Sequence, residues 1–133
     1  GKPGAERIGD YPANMLDENT KLPQGEWDVI WMSQFLDCFS EAQIVAILQK
    51  AAAVMNPQTR LFIMETFWDR QRYETTALCL TMTSVYFTAL ANGNSKMYHS
   101  EDMAKLIEKA GLKVVHTHDG VGRGHSILEV MKP

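Results

Sequence analysis

Two acidic side chains, Asp37 and Glu65, each follow an apolar run of the sequence and are the first candidates for chemistry. The runs, residues 27–33 and 61–64, have the composition of strands that are buried on both faces of a parallel sheet. Because open α/β sheets bind ligands at the carboxyl ends of their parallel strands, we expect both carboxylates to face one crevice. There they could exchange protons with a ligand. The sequence is equally compatible with Asp37 as a solvated acid in a loop and with Glu65 as a partner in a salt bridge.

Three other features carry weaker chemical signals. Cys38 has no His nearby in the sequence, so it is predicted to be a small buried residue rather than a nucleophile. His116 and His118 share one strand face, but no third ligand stands at a metal-site spacing, so surface histidines and no metal are expected. The Gly-Val-Gly-Arg-Gly segment at 120–124 is followed by nine residues that alternate like a strand. Because a phosphate loop opens a helix, a hairpin loop is expected there instead.

The elements that would position these residues follow from periodicity and stop signals. Ser40, with Gln43 three residues later, has the form of a capping box at a helix start. Asn-Pro at 56–57 ends that helix. Together with the two apolar runs, this helix predicts a strand-helix-strand unit, the building block of a parallel sheet.

The second half of the sequence predicts two helices and a strand pair. A long, largely buried helix is expected over residues 73–90, because apolar residues spread around most of its turn. Ser100, with two acids behind it, would cap a shorter helix. Residues 114–115 and 127–131 have the composition of strands, and the short link between them favours antiparallel pairing. The chain is therefore predicted to be one α/β domain whose parallel strands give way to an antiparallel pair.

Composition narrows the function classes. The 133 residues carry 13 Lys and Arg against 16 Asp and Glu, so the net charge of −3 favours neither nucleic acid nor an anionic membrane as a partner. Hydrophobic residues make up 45% of the chain, as in soluble globular domains. No apolar run approaches the roughly 20 residues that span a bilayer. Two cysteines outside any C-x-x-C motif, without a secretory signal, favour a reduced, cytoplasmic setting.

Five segments, in this order and spacing, resemble the C-terminal part of S-adenosylmethionine-dependent O-methyltransferases of the plant caffeate and hydroxyindole type and their bacterial relatives. They are residues 13–16, 27–41, 54–57, 61–65 and 106–112. The resemblance covers nearly the whole chain. It implies the C-terminal half of a Rossmann-like methyltransferase sheet, S-adenosylmethionine as cofactor and a small-molecule methyl acceptor, and it allows a homodimer.

The resemblance also implies four cofactor-binding residues. The family's Gly-Asp-Met-Phe motif, whose acid and Met contact the adenine end of the cofactor, corresponds to Ala-Asn-Met-Leu at 13–16. Asn14 therefore keeps a polar contact without the charge, and Met15 matches the family residue. Ser33 takes the position of a cofactor-contacting Lys. Phe39 takes that of an aromatic residue packed near the cofactor.

On the acceptor side, the resemblance implies Asp37 and Glu65 as the catalytic pair. Leu-Asp-Cys-Phe at 36–39 corresponds to the family's Leu-His-Asp-Trp, so Asp37 stands where the general-base His is found. Glu65 matches an acid that helps to orient that base, and a second such acid is replaced around Met97. A solvated Asp has a pKa of about 3.9, far below about 6.5 for His, and is a poor base for a phenol at about 10. Asp37 could act as the base if burial raised its pKa, if the acceptor were more acidic, or if positioning supplied most of the rate.

The sequence also departs from the family by what residues 1–133 do not contain. They hold neither the glycine-rich cofactor loop, with the acid that binds the ribose, nor the N-terminal dimerisation and acceptor-binding helices. We therefore expect a partial catalytic domain that is inactive alone, within a protein that methylates a hydroxyl of a small molecule. The alternative is a non-catalytic methyltransferase-like module that dimerises or docks on a partner, for which an exposed sheet edge at the first strand would be evidence.

Overall fold

One mixed sheet organises the computed structural model, which describes residues 4–133. Its strands are β1 (Val29–Ser33), β2 (Arg60–Glu65), β3 (Lys113–Val121) and β4 (His125–Met131). The spatial order is β1-β2-β4-β3. β1 and β2 are parallel, with Ile30 opposite Leu61, whereas β4 is antiparallel to both of its neighbours. The predicted succession from a parallel pair to an antiparallel pair is therefore confirmed.

Three helices connect the strands. They are α1 (Glu41–Val54), α2 (Glu74–Tyr86), which continues as a π-helical turn over Phe87–Ala91, and α3 (Ser100–Lys109). The backbone N–H of Ser40 donates to Gln43 Oε1 over 2.9 Å, which confirms the predicted capping box at the start of α1. Two short 3₁₀ turns also matter for the site. We call Leu36–Cys38 the β1–α1 turn and Trp68–Arg70 the β2–α2 turn.

The hydrophobic core lies where α1 and α3 pack against the sheet. Met103, Leu106 and Ile107 on α3 are buried, and Gly111, with φ of +80°, ends that helix. Each large side chain removed from water contributes roughly 1.5 to 3 kcal/mol. This core fixes β2 and β4, and thereby the position of every side chain at their ends. Its fully buried members include Ile44, Ile47, Leu48, Leu61, Ile63, Met103, Ile107 and Val130.

The expectation that β1 is buried on both faces is wrong. Val29 and Trp31 are each 52% exposed, and Met32 is the buried residue of this strand. β1 pairs with β2 alone, so its other edge is open among the residues that the structure describes. An apolar run therefore indicated a strand correctly but did not show which of its faces are covered.

The expectation that the helix over residues 73–90 is largely buried is also wrong. No residue of α2 is buried, and the side chains of Leu78, Met82 and Tyr86 are more than half exposed. α2 packs mainly on the β2–α2 turn, whereas α1 and α3 occupy the core. The apolar residues spread around this segment thus predicted a helix correctly, but they did not show whether other parts of residues 4–133 cover it.

His99, rather than Ser100, is the N-cap of α3. Its Nδ1 accepts from the backbone N–H of Glu101 over 3.1 Å. Ser100 lies one residue further along, where its buried hydroxyl donates to Asp69 and accepts from Arg70 Nε. The hydroxyl of Ser100 is therefore used to join α3 to the β2–α2 turn.

The predicted glycine-rich hairpin is confirmed. β3 and β4 pair as antiparallel strands, and Gly120, Gly122 and Gly124 all have positive φ angles, of 72°, 58° and 95°. Gln71 fastens this hairpin to the rest of the chain, because its Nε2 donates to Gly124 O over 2.9 Å and to Phe67 O over 2.7 Å.

Gly124→Ala is expected to lower the free energy of unfolding by about 2 to 3 kcal/mol, and Gly120→Ala by only about 1 kcal/mol. Both substitutions strain a left-handed backbone. At position 124 the added Cβ would also lie 2.6 Å from Gln71 Oε1, so Gln71 would have to give up its two carbonyl contacts. At position 120 nothing lies within 4 Å of the added atom. Urea denaturation of the two variants measures the difference, and equal losses would contradict this role of Gln71.

Candidate active site

Asp37 and Glu65 lie at one edge of the sheet, where the parallel strands β1 and β2 end. Glu65 is the last residue of β2, and Asp37 is the middle residue of the β1–α1 turn. The charge of Asp37 is close enough to raise the pKa of Glu65. The structure therefore brings the two sequence-predicted carboxylates together, at the place where α/β sheets bind ligands.

Glu65 is 2% exposed and serves as a cap for the β1–α1 turn. Its Oε1 accepts from the backbone N–H groups of Phe35 and Leu36, each over 2.9 Å. No Lys, Arg or His in the described part of the chain forms a salt bridge with it. The carboxylate thus holds the backbone of the turn that carries Asp37.

Burial raises the pKa of Glu65 from 4.5 to about 7. The neighbouring charge of Asp37 raises this pKa further, whereas hydrogen bonds from the backbone of residues 35, 36 and 37 lower it. The desolvation of the carboxylate outweighs its hydrogen bonds. Glu65 consequently exchanges its proton near neutral pH, a property that clusters at functional sites.

Asp37 is half-buried, and burial raises the pKa of its carboxyl above the usual value of 3.8. A contact from the Cys38 thiol to Asp37 Oδ1, 3.5 Å long, acts in the opposite direction. The backbone carbonyl of Asp37 accepts from Lys96 N over 3.0 Å, which holds the turn against a distant segment of the chain. Burial therefore shifts the pKa of Asp37 upward, which is the direction that an aspartate acting as a base requires.

Cys38 is exposed, so the expectation that it is buried is wrong. It lies at the end of the β1–α1 turn, where sequence alone gives no sign of its environment. Desolvation and the charge of Asp37 raise the pKa of its thiol. A raised pKa opposes formation of the thiolate, so the structure gives Cys38 no activation as a nucleophile.

Residues 95–98 border the site and were largely missed by sequence reasoning. The Thr66 hydroxyl, directly after Glu65, donates to Met97 Sδ over 3.2 Å, so Met97 lies beside the carboxylate pair. The Tyr98 hydroxyl donates to Phe39 O over 3.0 Å, and burial raises the pKa of Tyr98 to about 12. The only sequence signal is the family resemblance, which implies that an acid of the family is replaced around Met97.

Gln34 is a second site residue without a sequence signal. It has a φ of +49°, in the left-handed region that non-glycine residues rarely adopt. Its backbone N–H donates to Met64 O over 2.9 Å, and its Nε2 lies 3.5 Å from Glu65 Oε2. Backbone strain of this kind is found preferentially at functional sites.

Of the four predicted cofactor residues, Phe39 and Ser33 flank the β1–α1 turn. Phe39 packs edge-on against Phe35, with ring centroids 5.0 Å apart, and both rings lie against the core. Ser33 is exposed at the end of β1.

Asn14 and Met15 precede β1 in the sequence and lie beside α1, further from the β1–α1 turn. The carbonyl of Met15 accepts from Lys50 Nζ over 2.8 Å, and Asn14 Oδ1 accepts from Leu16 N over 3.1 Å. Lys50 is about 14 Å along α1 from its first residue, at 1.5 Å per residue. The structure therefore places the predicted pair against the second half of α1, and the other two residues beside the carboxylates.

Residues 4–133 contain neither a candidate metal site nor a helix that could cross a membrane. No group of three His, Cys, Asp or Glu side chains is arranged there to hold a metal ion. The rings of His116 and His118 are 4.3 Å apart on an exposed strand, and His118 Nε2 lies 3.6 Å from Glu129 Oε2. None of the helices described is both long enough and apolar enough to span a membrane.

Comparison with known proteins identifies relatives of this chain. The family described as "Methyltransferase domain" matches residues 4–117. The O-methyltransferase hmp5 of Hypomyces subiculosus is 29% identical over 113 residues, which are 85% of this chain and 28% of that protein.

Two solved structures are similar over most of this chain. The mitomycin 7-O-methyltransferase MmcR has a TM-score of 0.78 at 23% identity, covering 97% of this chain and 35% of its own. The O-methyltransferase NcsB1 from neocarzinostatin biosynthesis has a TM-score of 0.69 at 20% identity, covering 90% of this chain and 32% of its own. NcsB1 was solved with S-adenosyl-L-homocysteine and 1,4-dihydroxy-2-naphthoic acid. This chain therefore has the fold of these proteins and spans about a third of their length.

Proposed function

Because this chain belongs to the methyltransferase-domain family, we propose that the protein containing it transfers a methyl group from S-adenosylmethionine to a hydroxyl of a small molecule. The observation that carries this proposal is a pair of carboxylates, Asp37 and Glu65, at the ligand-binding edge of a methyltransferase fold. The hydroxylated aromatic acid bound by NcsB1 supports a small acceptor with a hydroxyl group.

The residues around the β1–α1 turn fit a cationic, partly apolar cofactor. Phe39 and Phe35 offer aromatic surface beside the carboxylate of Asp37, a combination suited to a sulfonium cation. We assign the cofactor side of the site to Ser33 and Phe39 near the turn and to Asn14 and Met15 along α1. When bound, S-adenosylmethionine supplies the methyl group.

Asp37 is the general base in this proposal. Its half-buried carboxylate would accept the proton of the acceptor hydroxyl, so the electron pair of that O–H bond would stay on the oxygen as it takes the methyl group and S-adenosylhomocysteine leaves. Glu65 holds the backbone of Phe35 and Leu36 and thereby aims the next residue, Asp37, at the acceptor. Positioning of this kind supplies much of the rate in a bimolecular displacement.

Titration calorimetry of the full-length protein with S-adenosylhomocysteine tests the cofactor assignment without knowledge of the acceptor. We expect a micromolar Kd, and about fivefold weaker binding by Phe39→Leu, because an aromatic contact contributes about 0.5 to 1.5 kcal/mol. Phe62→Leu is the matched control, because Phe62 packs against Trp31 of β1 and is not among the residues assigned to the cofactor. The absence of binding, or equal weakening by the two variants, would contradict the assignment.

We further propose that residues 1–133 are a partial catalytic domain that does not transfer methyl groups alone. The chain spans 28% of hmp5 and 35% of MmcR, and its described residues, 4–133, hold no glycine-rich loop between a strand and a helix. Parallel assays of residues 1–133 and of the full-length protein, both with S-adenosylmethionine and the same acceptors, are expected to show turnover only for the latter. A cytoplasmic location stays a prediction.

The open edge of β1 supports a second candidate function, a non-catalytic module that pairs with a second copy or a partner. Val29 and Trp31 are exposed on that strand, whose outer edge pairs with no other strand among residues 4–133, and exposed edges of this kind favour association. Light scattering of residues 1–133 at high concentration is expected to show dimers if this candidate is correct. A clean monomer would count against it.

A further inference from the structure

A cleft of about 620 Å³ opens between the β3–β4 hairpin and the start of α2. The hairpin contributes Gly120, Gly122 and Gly124 to one wall, together with Arg123. Residues 70–73 form much of the opposite wall. None of the residues proposed above to bind cofactor or acceptor lines this cleft, so it is distinct from the candidate active site.

Three arginines and one aspartate line this cleft, giving it a formal charge of +2. Arg70 is held in place, because its Nη1 donates to Asp119 Oδ2 over 2.9 Å and its Nε donates to Ser100 Oγ over 3.0 Å. Arg72 lies over the Tyr73 ring, with its guanidinium carbon 5.2 Å from the centroid. Among residues 4–133, no carboxylate forms a salt bridge with Arg72 or Arg123.

The backbone around the cleft also favours an anion. No helix follows the glycine-rich segment at 120–124 in the sequence. The structure supplies a helix from elsewhere, because Tyr73 and Thr76, at the N-terminal end of α2, line the same cleft. The N-terminal end of a helix carries partial positive charge. The backbone N–H of Thr76 donates to Tyr73 O over 3.0 Å, so it is the dipole of α2, and not a free amide of Thr76, that favours an anion here. Tyr73, as N-cap, makes no side-chain hydrogen bond to the first turn, and Glu74 of that turn does not line the cleft.

We propose that this cleft binds the phosphate group of a small molecule, with Arg72 and Arg123 as its cationic contacts. The planar guanidinium presents parallel N–H donors that match the oxygens of phosphate. A phosphate monoester carries a charge of about −1.5 to −2 at pH 7, which balances the lining, whereas a single carboxylate leaves it half neutralised. This inference does not depend on the proposed methyl transfer.

Inorganic phosphate is the probe for this proposal. We expect the backbone amide resonances of Gly120, Gly122 and Gly124 to shift and saturate as phosphate is added at constant ionic strength, with a Kd of about a millimolar. Acetate at equal concentration is expected to bind at least fivefold more weakly. Absence of saturation, or equal affinity for the two anions, would overturn the proposal.

Arg123→Gln and Arg72→Gln are each expected to weaken phosphate binding at least fivefold. Lys113→Gln is the matched control, because Lys113 loses the same charge at the far end of β3 from the hairpin. An equal loss of affinity in this control would show that binding depends only on the net charge of the chain, and it would overturn the assignment. Thermal melting of each variant checks that the fold is kept, since exposed substitutions usually change stability by less than about 0.5 kcal/mol.

Discussion

Asp37→Asn is expected to lower the rate of methyl transfer by the full-length protein at least hundredfold, because general-base catalysis contributes about 10²- to 10⁴-fold. An amide cannot accept the hydroxyl proton, whereas its size and hydrogen-bonding capacity keep the β1–α1 turn in place. The rate is followed as release of S-adenosylhomocysteine from S-adenosylmethionine, with a hydroxylated aromatic acceptor selected by the same assay. Binding of S-adenosylhomocysteine is expected to be retained, which separates lost chemistry from lost folding.

Two further variants sharpen this prediction. Asp102→Asn makes the same chemical change on the exposed first turn of α3 and is expected to leave the rate unchanged. Asp37→His restores the residue found at this position in the resembling family, so it is expected to retain activity above about pH 6.5, where imidazole is neutral. A full rate for Asp37→Asn would remove Asp37 from the reaction.

The stability of this chain is expected to fall by about 3 kcal/mol as the pH rises from 4.5 to 7, through Glu65 alone. The pKa of Glu65 is about 7 in the folded chain, so the unfolded chain releases this proton first. The stabilisation from the protonated, buried carboxyl is complete below pH 4.5 and is lost as the pH rises through 7. Asp37, whose pKa is also raised, adds a loss of the same sign at lower pH.

Urea denaturation between pH 4.5 and pH 8 measures this loss. Glu65→Gln, a neutral isostere of the protonated acid, is expected to flatten the profile and to be the more stable protein at pH 8. Glu41→Gln is the control, because Glu41 is exposed and contacts Lys96 at the surface, and its profile should follow that of the unsubstituted chain. An unchanged slope in Glu65→Gln would show that the carboxyl titrates at its ordinary pKa.

Stability and activity make different demands on position 65. A glutamine there is expected to stabilise the chain above neutral pH, yet natural glutamate keeps a titrating group beside Asp37. Residues that are poor for stability in this way are found where activity requires them. Comparison of the methyl-transfer rate of Glu65→Gln with its stability would show which of the two properties the carboxylate serves.

Local patterns in the sequence determined the secondary structure. The capping box at Ser40, the buried stripe of α3 and the glycine-rich hairpin all depend on residues a few positions apart, so they can be predicted without knowledge of the fold. The parallel pair of β1 and β2 follows from the helix between them. The proximity of Asp37 and Glu65 follows in turn, because both residues come at the carboxyl ends of these strands.

Only the tertiary structure decided the surroundings of these elements. Whether β1 and α2 are covered, whether Cys38 is buried and which atoms contact Glu65 all depend on segments that are distant in the sequence. The amides that donate to Glu65 are about thirty residues away in the sequence, and Arg72 lines one cleft with a hairpin about fifty residues further on. Apolar composition gives the tendency of a side chain to be buried, but packing partners determine whether it is buried. The pKa of Glu65 and the charge of the arginine cleft therefore emerge only in the folded chain.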